Sequence, residues 1–150
     1  VLGVVLAPAL RMSYFAAAGQ GAWRQQGDQA SQAIQAVVRK ENQPWRVVGS
    51  RSHSTPAVDD FVARLGDAEL VSMGSSLKLC LVADGSADVY PRLGPTSEWD
   101  TCAAQAVVEQ AGGQVLDART GQPLRYNARE TLLNPHFIAC AEPQAGWFSA

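Results

Sequence analysis

Residues 99–113 read WDTCAAQAVVEQAGG, and this stretch decides the fold more than any other part of the chain. Small and branched apolar residues recur in it at helical spacing and a glycine pair follows them, which predicts a helix over 98–111. Ser97 and Asp100 have the spacing of a capping box, with Asp in place of the usual Glu. An aspartate at the start of a helix also suits a hard cation bound through oxygen. The residues alone leave both roles of Asp100 open.

Strands and helices alternate on both sides of this helix. Short apolar runs bounded by turn residues predict strands at 46–49, 68–72, 87–90, 114–116 and 137–140. Two further helices are predicted at 56–65 and 76–83. Thr55 is the expected N-cap of the first, and Pro56 fits its first turn. This alternation implies a layered α/β domain.

The first part of the chain has a different pattern. Three strands of an antiparallel meander are predicted at 1–7, 12–18 and 22–24. Residues 33–39 fit a short strand or a helix equally well. A polar ENQP segment follows as a linker. We therefore predict two parts, residues 1–43 with the meander and residues 44–150 with the α/β domain.

Composition narrows the class of protein. The 150 residues are 47% hydrophobic and 17% charged, with a formal net charge of −2, which argues against a nucleic-acid polymer bound through a broad basic face. No apolar run approaches the roughly 18 residues of a membrane span, so no transmembrane segment is expected. Cys80, Cys102 and Cys140 match neither a zinc site nor a disulfide framework, and we predict buried, reduced thiols.

A polar loop precedes the helix predicted at 56–65. It reads SRSHST and follows the strand at 46–49. Its Ser50 and His53, with a guanidinium and the free amides of a helix N-terminus, form a combination that binds phosphate well. An ordinary capped loop explains the same residues, because serine and threonine are also common structural caps.

A second candidate loop reads GSSLK, residues 74–78. Gly74 would let the backbone approach a ligand closely, and either serine could cap the next helix. Lys78 falls in the first turn of that helix, where the helix dipole disfavours a cation unless an anion lies near. An ordinary exposed lysine is the alternative interpretation.

The stretch WDTCAAQAVVEQAGG resembles the second signature of the inositol monophosphatase superfamily. The SRSHS, GSSLKLCLVADGSADVYPRLGPTSEWDTCAA and LNPHF segments, with VLGVVLAP and AAAGQGAW, resemble the bacterial 3'(2'),5'-bisphosphate nucleotidases of the CysQ type. The resemblance runs over nearly the whole chain. It implies that Asp100 is a catalytic residue that binds both metal and substrate. It also implies a set of substrate contacts: Ser50, His53, Gly74, Lys78 and Asp100, with Tyr90 and Arg92 as weaker candidates.

The resemblance implies an activity as well. It is the Mg²⁺-dependent hydrolysis of a small adenosine bisphosphate, 3'-phosphoadenosine 5'-phosphate, to AMP and phosphate, which would serve sulfur assimilation. An inositol monophosphatase and a non-catalytic nucleotide-binding module are the alternatives. A cytoplasmic location is expected, with peripheral association at the inner face of the cytoplasmic membrane left open.

One departure from the family pattern matters most. The other metal ligands of the family lie in a Glu-Glu motif and an Asp-Pro-x-Asp-Gly-Thr motif, and neither occurs in this sequence. We therefore expect the C-terminal layered α/β domain of the sugar-phosphatase fold, preceded by a remnant meander of the N-terminal α+β domain. The missing N-terminal domain would be required for activity, so the chain alone is expected to be inactive.

Overall fold

The structure, a computed structural model, describes residues 1–49 and 55–148. The first part of the chain forms an antiparallel meander in which consecutive strands are neighbours. Its strands are β1 (Leu2–Ala7), β2 (Met12–Ala17), β3 (Gly21–Gln26) and β4 (Gln32–Ile34). The predicted meander is confirmed, and the undecided region after residue 32 contributes only the short strand β4.

The rest of the chain builds a mixed sheet with helices. Its strands are β5 (Trp45–Gly49), β6 (Ala68–Ser72), β7 (Val89–Arg92), β8 (Gln114–Asp117) and β9 (Phe137–Cys140). The helices are α1 (Pro56–Leu65), α2 (Leu77–Ala83) and α3 (Glu98–Gln110). The strand order is β6-β5-β7-β9-β8, with β5 parallel to β6 and β7 and with β9 antiparallel to β7 and β8. The layered α/β prediction is confirmed.

Helices α2 and α3 lie between the two sheets. One core cluster joins Val5 of the meander to Leu79 of α2, Val107 of α3 and Val48 of the mixed sheet. A second cluster packs Phe61 of α1 against the opposite face of the mixed sheet. The meander therefore shares a hydrophobic core with the helices, while the division at residue 43 stays a prediction.

Gly3 of β1 marks the closest approach of α3 to the meander. A Cβ atom at this position would overlap the carbonyl oxygen of Ala103 and would come within 2.8 Å of the Ala106 Cβ. Glycine in a strand interior is typical of such close approaches. The alanines of the stretch quoted first therefore have a packing role that is independent of any ligand.

Strand β7 begins two residues later than predicted. The preceding residue, Asp88, is buried, and its carboxylate accepts hydrogen bonds from the Arg46 amide at 2.8 Å and from the Arg46 guanidinium at 2.7 Å. This partly buried ion pair holds the turn that leads into the strand. As a consequence, Tyr90 and Arg92 both belong to β7.

The cysteine prediction is wrong at one position. Cys80 and Cys140 are buried and Cys102 is exposed on α3, and all three are free. Burial raises the pKa of the Cys80 and Cys140 thiols to about 12, so these two are unreactive. In the described part of the chain, no helix has the length and hydropathy that crossing a membrane requires.

We predict that Gly3→Ala destabilises the chain by about 1–3 kcal/mol, the usual cost of overpacking a core. The added Cβ meets backbone as well as side-chain atoms, so α3 must shift. Urea unfolding measures the free energy of unfolding. Gly146→Ala is the control, because a Cβ there meets nothing within 4 Å. Equal stability of the two variants would contradict the close packing of α3 on β1.

Candidate functional site

The carboxyl ends of β5, β6 and β7 meet at one edge of the mixed sheet, because these strands run parallel. Open α/β sheets bind their ligands at this edge. Two cavities lie here, a larger one of about 770 Å³ and a smaller one of about 240 Å³. Both are lined by Lys78, Tyr90, Arg92 and Pro95, so the two cavities adjoin.

The larger cavity extends from the end of β5 to α1 and has a largely apolar wall. It is lined by Gly49 and Thr55, and its apolar side includes Leu70 and Leu93. Thr55 caps α1 as predicted, because its hydroxyl accepts a hydrogen bond from the Val58 amide. The predicted contacts Ser50 and His53 lie outside the described residues.

The smaller cavity unites three segments that are far apart in the sequence. It is lined by Ser75 and Ser76 of the GSSLK loop, Arg92 of β7, and Thr96 and Asp100 at the start of α3, in addition to Lys78. Lys78 and Asp100, which were predicted as site residues from separate motifs, therefore line one cavity. Nothing lies within 4 Å of a Cβ added at Gly74, which borders this loop.

The GSSLK loop does not cap its helix as predicted. Ser76 has helical backbone angles, φ −63° and ψ −15°, and makes no side-chain cap hydrogen bond, since an N-cap residue needs an extended backbone. Ser75 adopts the left-handed conformation with φ 50°, which is uncommon for a residue other than glycine. Neither hydroxyl hydrogen-bonds to another described residue, and both border the smaller cavity.

Lys78 is buried, with 8% of its surface exposed, so the alternative of an ordinary exposed lysine is wrong. Its Nζ lies 5.9 Å from the centroid of the Tyr90 ring. No ion pair joins it to another described residue. Burial, and then the nearby Arg92 guanidinium, lowers the pKa of Lys78. A buried ammonium group without a carboxylate favours an anion in the adjacent cavity.

Arg92 adds a second cation to both cavities. Its Nη2 donates a hydrogen bond to the Pro95 carbonyl at 2.9 Å. Its Nε is buried and has no partner among the described residues. Tyr90 packs edge-on against Phe137, with ring centroids 5.6 Å apart, and both residues line the smaller cavity. The sequence predicted Tyr90 and Arg92 only as weaker candidates.

Asp100 uses one carboxylate oxygen as a helix cap. Its Oδ2 accepts a hydrogen bond from the Ser97 amide at 2.8 Å, as a capping box requires. Its Oδ1 accepts no hydrogen bond from a described residue, and the side chain is exposed at the smaller cavity. The two roles left open by the sequence are therefore compatible, because each can use a different oxygen.

The described residues can supply one ligand of a metal ion, but they do not supply the full set of ligands that the ion needs. Among residues 1–49 and 55–148, no group of three or more His, Cys, Asp or Glu side chains is placed to hold a metal. A hard divalent cation takes six or more oxygen ligands. Asp100 Oδ1 is an oxygen of the right chemistry, and the other ligands would have to come from outside this set of residues.

Sequence reasoning missed the residues that hold the start of α3. Asn134 is buried, and the two N–H groups of its Nδ2 are shared among the Ser97 carbonyl at 2.9 Å, the Thr101 hydroxyl at 2.9 Å and the Thr96 hydroxyl at 3.2 Å. The segment LNPHF was noticed only for its resemblance. Its position 33 to 38 residues from Thr96, Ser97 and Thr101 in the sequence gave no signal of this contact.

Fold and cavities together describe a layered α/β protein with a strand-end site suited to a phosphate-bearing ligand. The model of the Inositol monophosphatase family matches residues 1–146. The chain is 46% identical over 137 residues to 3'(2'),5'-bisphosphate nucleotidase CysQ of Salmonella typhimurium, covering 91% of this chain and 53% of that protein. The Escherichia coli K12 protein of the same name is 45% identical over 137 residues, with the same coverage.

A solved structure agrees with these relatives. CysQ from Bacteroides thetaiotaomicron, described as a bacterial member of the inositol monophosphatase family, superposes with a TM-score of 0.83 at 40% identity. The match covers 95% of this chain and 59% of that one. The chain belongs to the inositol monophosphatase family, and it spans about half the length of the curated relatives it matches.

We predict that Lys78→Ala weakens binding of sulfate by roughly tenfold or more, because a charge-assisted hydrogen bond is lost. Sulfate is a suitable probe because its charge is constant over the range tested. Wild-type affinity should fall as the pH rises through the lowered pKa of Lys78, since only the protonated amine attracts the anion. Lys78→Arg keeps its charge at every pH tested, so its affinity should not fall.

Calorimetric titration over a pH series measures this dissociation constant. Lys40→Ala is the matched control, because Lys40 is an exposed lysine that lines neither cavity. Unchanged sulfate affinity in Lys78→Ala would remove Lys78 from the anion site.

Proposed function

We propose that this chain is part of a Mg²⁺-dependent phosphoric monoester hydrolase, a 3'(2'),5'-bisphosphate nucleotidase that converts 3'-phosphoadenosine 5'-phosphate to AMP and phosphate. One observation carries the proposal: the smaller cavity joins the buried Lys78, which has no ion pair with a described residue, to an Asp100 oxygen that accepts no hydrogen bond from one. The relatives at 45–46% identity are named for this activity. Removal of this bisphosphate would serve sulfur assimilation.

The substrate would occupy both cavities. Lys78 and Arg92 supply positive charge for the scissile phosphate in the smaller cavity, and Gly74 leaves room for the phosphate to approach the backbone. The larger cavity, with its apolar wall and a volume in the usual range for small ligands, suits the base and ribose. Ser50 and His53 are the contacts proposed from the segment outside the described residues.

Asp100 would hold a Mg²⁺ ion through Oδ1 while Oδ2 stays on the Ser97 amide. A bound Mg²⁺ ion supplies an activated water and charge stabilisation on the phosphoryl oxygens. The part played by this chain is to orient the carboxylate by its helix cap and to hold the phosphate between Lys78 and Arg92. Because one carboxylate makes a weak Mg²⁺ site, we propose that the other ligands belong to the remainder of the family fold.

The outer face of the meander supports the proposal that part of the family fold lies outside this chain. Leu2, Val4 and Leu6 alternate with buried residues along β1 and are exposed. Phe15 pairs with Val4 in register and stacks on Trp23 at 5.9 Å, so aromatic rings continue the same apolar face. An exposed apolar surface of this kind is typical of an interface. We propose that residues 1–43 are the remnant of an N-terminal domain whose other elements cover this face, and that residues 44–150 are the C-terminal domain.

A comparison of two proteins tests the proposal. We predict that a complete enzyme carrying this chain releases phosphate from 3'-phosphoadenosine 5'-phosphate with Mg²⁺, and that the 150-residue chain alone does not, because the Glu-Glu and Asp-Pro-x-Asp-Gly-Thr motifs do not occur in it. A phosphate-release assay with both proteins measures this. The same assay with inositol monophosphate gives the substrate preference.

Each outcome decides between functions. Release by the 150-residue chain alone would contradict the need for a second domain. Binding of the bisphosphate without release by the complete protein would favour a nucleotide-binding module. Preference for inositol monophosphate would favour the other activity named in the family. Cytoplasmic location and peripheral membrane association stay predictions from the family resemblance.

A further inference from the structure

A buried hydrogen-bond network surrounds the first turn of α3. The hydroxyl of Thr101 lies at its centre, where it accepts a hydrogen bond from Asn134 at 2.9 Å and lies 3.1 Å from the Tyr126 hydroxyl. Its one proton is shared between the Tyr126 oxygen and the Glu98 carbonyl, which lies at 3.3 Å. Thr101 itself borders the smaller cavity, so the network reaches the site through this residue.

Tyr126 is held in turn by the middle of the helix. Its hydroxyl contacts Gln105 Oε1 at 2.5 Å, and Gln105 Nε2 donates to the Leu124 carbonyl at 3.1 Å. Burial is the main cause of the raised pKa of Tyr126, so its hydroxyl stays protonated and remains a donor. The segment around residues 124–134 is thereby fastened to α3 at two successive turns.

Asn134 contacts the residues on either side of Asp100. The two N–H groups of its side-chain amide are shared among the hydroxyls of Thr96 and Thr101 and the Ser97 carbonyl. A carbonyl oxygen can only accept, so the orientation of the Asn134 amide is fixed by this last bond. Ser97 is also the residue whose own amide donates to Asp100 Oδ2. One side chain therefore holds the residue whose own amide orients the carboxylate.

We propose that Asn134, supported by Tyr126, is a positioning residue that fixes the direction of the Asp100 carboxylate. By holding Ser97 in place, Asn134 keeps Oδ2 on the backbone, and Oδ1 accepts no hydrogen bond from a described residue on a side chain that lines the smaller cavity. The geometric part of this inference stands on the hydrogen bonds alone. Its consequence for metal binding rests on the proposed function.

The first arm of the test measures local geometry without activity. Hydrogen exchange of single amides, followed by NMR on the 150-residue chain, reports the bond from the Ser97 amide to Asp100. Asn134→Ala should raise exchange at Ser97 roughly tenfold, the loss expected for one hydrogen bond. Exchange in the α1 amides should stay as in the wild type. Tyr126→Phe should raise Ser97 exchange by a smaller factor.

The matched control is Tyr14→Phe. It removes a buried hydrogen bond from Tyr14 to Asp84 at 3.0 Å, between the meander and the end of α2, and it touches neither cavity. This variant should leave the Ser97 amide unchanged relative to other amides. Tyr14→Phe therefore shows how the Ser97 amide responds when a hydrogen bond is lost elsewhere in the chain. Any larger response in Asn134→Ala then reports the positioning of Asp100.

The second arm uses the complete enzyme and varies the Mg²⁺ concentration. Asn134→Ala and Tyr126→Phe should raise the Mg²⁺ concentration that gives half-maximal phosphate release, by roughly tenfold for Asn134→Ala, as is usual for partners of metal ligands. The KM for the bisphosphate should change less, because Lys78 and Arg92 are untouched. Tyr14→Phe should leave both quantities unchanged.

Two results would overturn the proposal. One is wild-type exchange at Ser97 in folded Asn134→Ala, and the other is an equal rise of exchange at Ser97 and throughout α1. If Asn134→Ala does not fold, Tyr126→Phe decides by the same criteria. A wild-type enzyme that releases no phosphate would contradict the proposed function, while the exchange arm would still decide whether Asn134 positions Asp100.

Discussion

Helix α3 lies between the two sheets, so close to β1 that only glycine fits at position 3 without displacing it. The same helix carries Asp100 in its first turn. The packing of α3 along the meander and its capped N-terminus therefore determine the position of the Asp100 carboxylate. The smaller cavity, with Lys78 and Arg92 in its lining, and the hydrogen-bond network around Thr101 both border the first turn of α3.

Lys78 differs from two buried carboxylates elsewhere in the chain, which are paired with arginines. The buried carboxylate of Asp84 is bound by Arg24 at 3.2 Å and by Tyr14, and that of Asp88 by Arg46 at 2.7 Å. Proteins usually retain buried charges only when they are paired in this way. Lys78 is buried without such a pair among the described residues and beside a second cation. Perturbed, unpaired groups at a cavity are typical of functional sites.

Local signals were enough to predict most elements. The bounds of α1 and β6 are as predicted, because proline and threonine mark the start of α1 and the strand run is bounded by turn residues. The start of β7 was wrong, because it depends on the ion pair between Arg46 and Asp88, which are 42 residues apart. Either Ser75 or Ser76 was predicted as a cap from residue type alone, and the helical backbone angles of Ser76 exclude it from that role.

Site residues were harder to predict than elements. Lys78 and Asp100 could be named from motifs, but their sharing of one cavity depends on the sheet order. Asn134 was missed because its partners Thr96, Ser97 and Thr101 lie 33 to 38 residues earlier. The choice between cap and ligand at Asp100 could not be made from sequence, since one carboxylate can serve both.

The most direct measurement is the turnover of Asp100→Asn in the complete enzyme over a range of Mg²⁺ concentrations, with its unfolding curve. The amide oxygen of asparagine can still accept from the Ser97 amide, but it presents a neutral group to the cavity. The free energy of unfolding should fall by no more than about 1 kcal/mol, the usual contribution of a carboxylate at a helix N-terminus, while turnover falls by at least roughly 100-fold. Wild-type turnover at ordinary Mg²⁺ concentrations would mean that Asp100 is a helix cap and nothing more.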